Sequence, residues 1–209
     1  YFIGYLSRNL DSLLIGRIIG AAPLGLYNRA YTLLMQPLTQ ISGPLTSLSL
    51  PVLSSLRNEP ERYKSYYRQL LDVLVSLALP VTVYCFLEGE FLIKIFLGQK
   101  WIEAVPVFRI LAIGGIFVAI SSAPGLVMLS HGFSDRYFLI NIVTSAITSL
   151  SLVIGVFFGI KGVATAYALA SFIKMIPLLS FSFRDTPVKL KIILESISGP
   201  IIAAFMAAL

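Results

Sequence analysis

Apolar runs of about 18 to 25 residues recur along the whole chain, each long enough to cross roughly 30 Å of hydrocarbon at 1.5 Å per residue. No other feature limits the fold as strongly. Within lipid the backbone must satisfy its own hydrogen bonds, so only helices or a closed barrel can cross. A barrel needs apolar and polar residues alternating in segments of about ten, and that dyad pattern does not occur here. The chain is therefore expected to be all-α and polytopic. Composition agrees: 57% of the 209 residues are hydrophobic and 12% are charged, against about 25% charged in soluble domains.

Seven spans are expected, at residues 2–19, 24–49, 70–87, 105–129, 137–159 and 162–183, with the last beginning near 192 and running to Leu209. Arg57, Arg62, Lys64, Arg68, Arg136, Arg184, Lys189 and Lys191 fall on one side of this arrangement. Lys94, Lys100 and Lys161 fall on the other, with Arg109 at a span mouth. Translocated loops are poor in Lys and Arg, so the first side is expected to be cytoplasmic, the start of the chain inside and the GAAP turn outside. Residues 57–69 read as a helix start, with Asn58 as cap ahead of Pro60 and Glu61 spaced i,i+3 from Lys64. The segment FLIKIFL at 91–97 is too short to span and reads as an interfacial or half-inserted helix, followed by Gly98 and an anchoring Trp101. Both ends of the chain fall in or against apolar runs, and it lacks an initiator Met, as expected of a piece of a longer protein.

Ionisable groups inside these runs are the candidate functional residues. Arg8, Asp11, Arg17 and Arg29 lie in the first hairpin, residues 2–49, and a charge near the bilayer centre costs about 2.5 to 3.5 kcal/mol. Such a hairpin needs a protein interior or a watery cavity to turn them toward. At 100° per residue Arg29, Thr32, Gln36, Gln40, Gly43 and Ser47 fall near one line, a polar seam along the second span, which Pro37 and the Gly43-Pro44 pair should bend. Gln36 and Gln40 either line a lumen or bond to neighbouring helices. Arg8 and Asp11, three residues apart, form either a structural ion pair or part of the lumen. Arg17, about opposite Arg8 on a regular helix, snorkels to the outer interface or lines the mouth beside Arg29.

Elsewhere, Asn141 heads a polar face continued by Thr144, Ser145 and Thr148, whereas Gly155 and Gly159 at four-residue spacing suggest close helix packing. Lys174 lies well inside the sixth span and either snorkels or meets a substrate. Cys85 is the chain's one cysteine and reads as buried filler, with no disulfide or thiolate metal site available from this sequence. His131, beside Ser130 and near Asp135, has the residue types of a triad, but adjacent loop residues rarely have that geometry, so an enzymatic reading is disfavoured. No phosphate-cradling glycine loop is present, which leaves an ion gradient, a membrane potential or substrate turnover as the energy source and implies no cofactor. The net charge of +6 follows from topology and the membrane arginines, and calls for no nucleic acid.

The runs NLDSLLIGRIIGAAPLGLYNRAYTLLMQPL, LPVLSSLRNEPERYKSYYRQLL and FLIKIFLGQKWIEAVPVFRILAI resemble the lipopolysaccharide and polysaccharide exporters of the colanic and teichuronic acid type. These Wzx-like flippases share a superfamily with multidrug exporters and the peptidoglycan lipid flippase. The resemblance implies two six-helix lobes around a central cavity. Residues 1–190 would form the second lobe, the N-terminal lobe would be missing from this chain, and 191–209 would begin an additional, truncated helix. It also implies a polyprenyl-pyrophosphate-linked oligosaccharide as substrate, membrane lipid as surroundings and the bacterial plasma (inner) membrane as location. Arginines in the cavity would then hold pyrophosphate or acidic sugars. The rival readings are a cation-coupled drug or metabolite exporter of the same superfamily, which predicts acidic groups in the cavity, and a membrane scaffold, which predicts a fully packed seam.

Overall fold

A computed structural model describes residues 12–184 and 186–188; Arg8, Asp11 and the expected seventh span lie outside the described residues. Every element among those residues is helical. A π-helical turn, Ile15–Ile19, leads through Gly20 into α1 (Ala21–Ser55). Gly20 adopts φ 119°, a backbone conformation L side chains rarely enter, and it turns the chain back on itself. The hairpin is closed by Ser12 Oγ, 3.0 Å from Asn28 Oδ1. Helix α1 runs unbroken past Pro37, Pro44 and Pro51 and takes in most of the expected GAAP turn.

Helix α2 (Pro60–Leu87) takes in residues 60–69 of the expected 57–69 helix start and continues them into one long element. Its N-cap is Glu59, without a side-chain capping bond, so Asn58 does not cap it. Exposed ion pairs run along its first turns, from Arg62 to Glu59 at 2.7 Å and from Lys64 to Glu61 at 2.7 Å. Next come α3 (Gly89–Phe96) and a 3-10 turn, Gln99–Ala104, carrying Trp101. Helix α3 is the short amphipathic element expected from FLIKIFL: Phe91, Ile95 and Phe96 are exposed, while Lys94 Nζ lies 2.6 Å from Glu90 Oε1. That ammonium holds the Glu90 carboxyl below its ordinary pKa.

Two further spans are each made of a pair of helices. One pairs α4 (Val105–Ile120) with α5 (Ser122–Ser130); the other pairs α7 (Gly159–Ile173) with α8 (Met175–Ser182); α6 (Ser134–Val156) lies between them. Four stretches among the described residues are long and apolar enough to cross a membrane: Pro60–Leu87, Gln99–Ser130, Ser134–Val156 and Gly159–Ser182. Helix α1 has the length, but its polar seam dilutes its hydropathy.

The centre of the lobe is α4, whose span is 61% buried against 22% for α6. Two glycines let its neighbours approach. A Cβ on Gly114 would stand 3.0 Å from the Ala168 Cα of α7, and one on Gly115 would stand 3.1 Å from Thr82 of α2 and 3.2 Å from Leu38 of α1. The α6–α7 hairpin is tighter still: a Cβ on Gly155 would lie 2.6 Å from the Ala166 Cβ and 2.7 Å from the Gly162 carbonyl. Gly155 is thus the packing glycine expected from its spacing. Gly159 is not; it meets nothing within 4 Å and adopts φ 75°, making the turn itself. At one end of the lobe Tyr63, Ser130 and His131 pack together and Arg136 Nη1 donates to the Arg184 carbonyl at 3.2 Å. At the other end Trp101 lies against Gly25 and Arg29.

Gly155→Val should overpack the α6–α7 contact and lower stability by about 1–3 kcal/mol, read as a fall in the detergent thermal-unfolding midpoint. Ile154→Val, at a 55% exposed neighbour, should leave the midpoint nearly unchanged.

Candidate functional site

Helix α1 divides into two faces. Tyr27, Ala30, Leu34 and Leu38 are buried against the lobe, whereas Arg29, Thr32, Gln36, Gln40, Gly43 and Ser47 are all exposed. The seam read from the sequence is therefore real, and the described residues leave it open along its length. Its members have separate surroundings. Arg29 stacks 5.7 Å from the centre of the Trp101 ring. Gln36 borders an apolar groove of about 740 Å³. Gln40 is exposed and borders neither that groove nor the polar cavity described next. Ser47 enters that cavity. Arg17 is exposed within the π-helical turn, where the wider winding departs from the 100° wheel used to set it opposite Arg8.

The polar cavity, of about 510 Å³, lies between the C-terminal half of α1, the α4–α5 junction, α6 and the α7–α8 junction. It brings together two of the predicted residues, Asn141 and Lys174, with Thr46, Ser47, Ser121, Ser122, Tyr137 and Thr144. Three prolines shape its wall. Pro51, Pro124 and Pro177 have no N–H, so the carbonyls of Ser47, Ile120 and Ile173 lose their regular helical donors beside the cavity. The last two sit at the α4–α5 and α7–α8 interruptions, next to Ser121 and Lys174.

The lining serine and threonine hydroxyls, and one of the two Asn141 N–H groups, are already committed as donors. Ser47 Oγ donates to the Pro44 carbonyl at 3.0 Å, Ser122 Oγ to Ala119 at 2.8 Å and Thr144 Oγ1 to Ile140 at 2.9 Å. Ser121 donates to Phe117, and the Asn141 amide to Tyr137 at 2.6 Å. What the hydroxyls offer the cavity is acceptor oxygen, and Asn141 adds its carbonyl oxygen and one further N–H. Lys174 is the one charged lining residue; its ammonium lies 6.0 Å from the centre of the Tyr167 ring, and no carboxylate is among the lining residues. Tyr167 in turn sets its hydroxyl 3.3 Å from that of Tyr31. The cavity can therefore accept hydrogen bonds from a hydroxyl-rich ligand and neutralise one negative charge.

Sequence reasoning missed Ser121, Ser122, Thr46 and Tyr137. The usable signal was proline: Pro124 and Pro177 each follow a polar residue, Ser121 and Lys174, at a spacing of three, which marks an interrupted helix with a polar group at the break. The His131 group is structural in its geometry. Ser130 Oγ lies 2.7 Å from the Tyr63 hydroxyl, and His131 Nδ1 lies 2.9 Å from the Val127 carbonyl and 3.4 Å from Ser130 Oγ. Cys85 is buried and borders the apolar groove.

An all-α, multi-pass membrane protein with a polar cavity between interrupted helices is the class these features define. The chain belongs to the polysaccharide biosynthesis protein family, whose model it matches over residues 1–106. It is 29% identical over 175 residues to the teichuronic acid biosynthesis protein TuaB of Bacillus subtilis (strain 168), covering 83% of this chain and 36% of that protein. It is 25% identical over 192 residues to the lipopolysaccharide biosynthesis protein WzxC of Escherichia coli (strain K12), covering 88% and 39%. A third relative, the amylovoran biosynthesis protein AmsL of Erwinia amylovora, is 22% identical over 150 residues, covering 72% and 39%. The chain thus spans less than two fifths of the length of each of these curated relatives. No solved structure matches it significantly.

With Cys85 replaced by Ser in a cysteine-free background, cysteines at Ser122 and Asn141 should react with a water-soluble thiol reagent in intact membranes, while one at Val153, an exposed apolar position on α6, should not. Equal protection at all three positions would mean the cavity is sealed from water.

Proposed function

We propose that this chain is one lobe of an exporter that moves a polyprenyl-pyrophosphate-linked oligosaccharide repeat unit across the bacterial plasma membrane during synthesis of a surface polysaccharide. The observation that carries this reading is the membrane-embedded cavity in which Lys174 stands among acceptor oxygens from Asn141, Ser121, Ser122 and the proline-interrupted helices. Sugar hydroxyls are donors that such a wall can satisfy. A pyrophosphate or acidic sugar supplies the negative charge that a half-buried ammonium needs. The relatives support the substrate class, being described as biosynthesis proteins for teichuronic acid, lipopolysaccharide and amylovoran.

The open seam supports the two-lobe arrangement. A row of exposed polar groups on a membrane helix is stable when it meets water or another protein surface, and residues 1–190 as a second lobe would set Arg29, Gln36 and Gln40 toward a first. Arg17, Arg8 and Asp11 belong to the same proposed pathway. The basic end near Arg57, Arg62, Lys64, Arg136 and Arg184 is the cytoplasmic one in this reading. Among the described residues the cavity wall carries an ammonium and no carboxylate, which disfavours a cationic drug as cargo.

In the complete protein, Lys174→Ala and Arg29→Ala should each cut polymer export about tenfold or more, as expected for loss of a charge-assisted hydrogen bond of about 1.5–3 kcal/mol, with membrane insertion intact. Lys174→Arg should retain more export than Lys174→Ala. Export at the parental level in both alanine variants would remove these residues from the pathway.

A further inference from the structure

The apolar groove lies between α1 and α2 toward the α3 end of the lobe, and Lys174 and the polar cavity play no part in it. Pro37 and Pro80 border it from facing helices, Phe108 and Cys85 are its buried lining residues, and Leu92 and Phe96 of α3 join it from the short amphipathic helix. Apart from the Tyr84 hydroxyl and the Cys85 thiol, its one polar lining side chain is Gln36. A surface that merely faces bulk lipid needs no such concavity, and the placement of its polar end is specific. Gln36 belongs to the seam, and Arg29 lies on the same exposed face seven residues away, about 10 Å along α1. An occupant must therefore be apolar along its length and anionic at one end.

We propose that this groove holds the hydrocarbon chain of the polyprenyl lipid, with its phosphate end on the seam toward Arg29. The inference deepens the export reading and rests on it. The chain groove at Gln36 and the head-group cavity at Ser47 then sit about 16 Å apart along α1, so that the chain is held at the α3 side once the head has left the cavity. The exposed guanidinium of Arg29, braced on Trp101, supplies the charge that a phosphate requires. The ring faces of Phe96 and Tyr84 and the proline rings supply apolar contact that a branched isoprenoid can follow.

The test uses the complete protein in vesicles of phosphatidylethanolamine and phosphatidylglycerol containing tritiated polyprenyl phosphate. A photoreactive benzoyl-phenylalanine replaces Tyr84 in the groove or Leu77, an exposed residue of the same helix outside it. Labelling at Tyr84 should exceed that at Leu77 by about tenfold, one decade of affinity over bulk lipid, and should be competed by unlabelled polyprenyl phosphate but not by added phosphatidylglycerol. Equal labelling at both positions, or equal competition by phosphatidylglycerol, would overturn the proposal in favour of an ordinary lipid-facing surface. Absence of label at both would also overturn it, the groove then being filled by protein. Loss of the Tyr84 preference while export still depends on Lys174 sinks the groove alone. Selective labelling with export indifferent to Lys174 sinks the export reading and leaves a polyprenyl site.

Discussion

Inside a bilayer each polar group must find a partner within the protein, and the way this helical bundle meets that requirement decides its chemistry. Serine and threonine hydroxyls along α1 and α6, and at the α4–α5 junction, donate to carbonyls three or four residues back, as Thr46 does to Ser42 and Gly43 at 2.9 Å each. Their protons are consumed locally and their lone pairs are left outward. Prolines act in the same sense by withholding donors from Ser47, Ile120 and Ile173. A wall built this way is rich in acceptors and poor in donors, and Lys174 stands in it as a concentrated donor. Its three N–H groups give an anionic or hydroxylated ligand what the rest of the wall lacks.

Packing explains why the cavity persists between interrupted helices. Lipid tails are as apolar as leucine, so helices in a membrane associate by close contact instead of by escape from solvent. Gly114 and Gly115 make α4 the common neighbour of α1, α2 and α7, and Gly155 with Gly162 locks α6 onto α7. These contacts lie away from the cavity. The interruptions fall at Ser121 and Lys174, and both residues line the cavity. The His131 group and the bond from Arg136 to the Arg184 carbonyl tie the helix ends beyond the cavity, where the loops leave the spans.

How much of this was legible varied with how local the signal was. Four of the expected spans, the amphipathic α3 and the α1 seam follow from hydropathy and a 100° wheel; every residue the wheel places on the seam from Arg29 to Ser47 is exposed, with Thr39 and Pro44 exposed beside it. Asn141 and Lys174 could be named singly because each is costly in an apolar run. That they share one cavity with Ser121 and Ser122 was not readable, since it depends on how α4 and α7 pack. Arg17 is exposed in the π-helical turn at Ile15–Ile19, a winding that a 100° wheel does not describe. Asn58 and Gly159 show the weakness of short motifs. The first has a cap's composition beside a helix that starts one residue later than capping requires, and the second has packing spacing but serves as the turn.

Ser47 is where the two halves of the site meet, because it ends the exposed seam and lines the cavity. From Arg29 to Ser47 the seam rises through eighteen residue steps, about 27 Å of helix, close to the roughly 30 Å of hydrocarbon that a polar head must cross. Along that distance Pro37, Pro44 and Pro51 recur every seven residues and deprive Leu33, Gln40 and Ser47 of their regular donors on nearly one line. Acceptor carbonyls are thereby interleaved with the amides of Gln36 and Gln40. A head group leaving Lys174 for Arg29 would exchange one cation for another with hydrogen-bonding partners at each intervening turn. For the proposed export, that spacing means the barrier to crossing is divided among short steps along one helix face, with no single transfer through hydrocarbon.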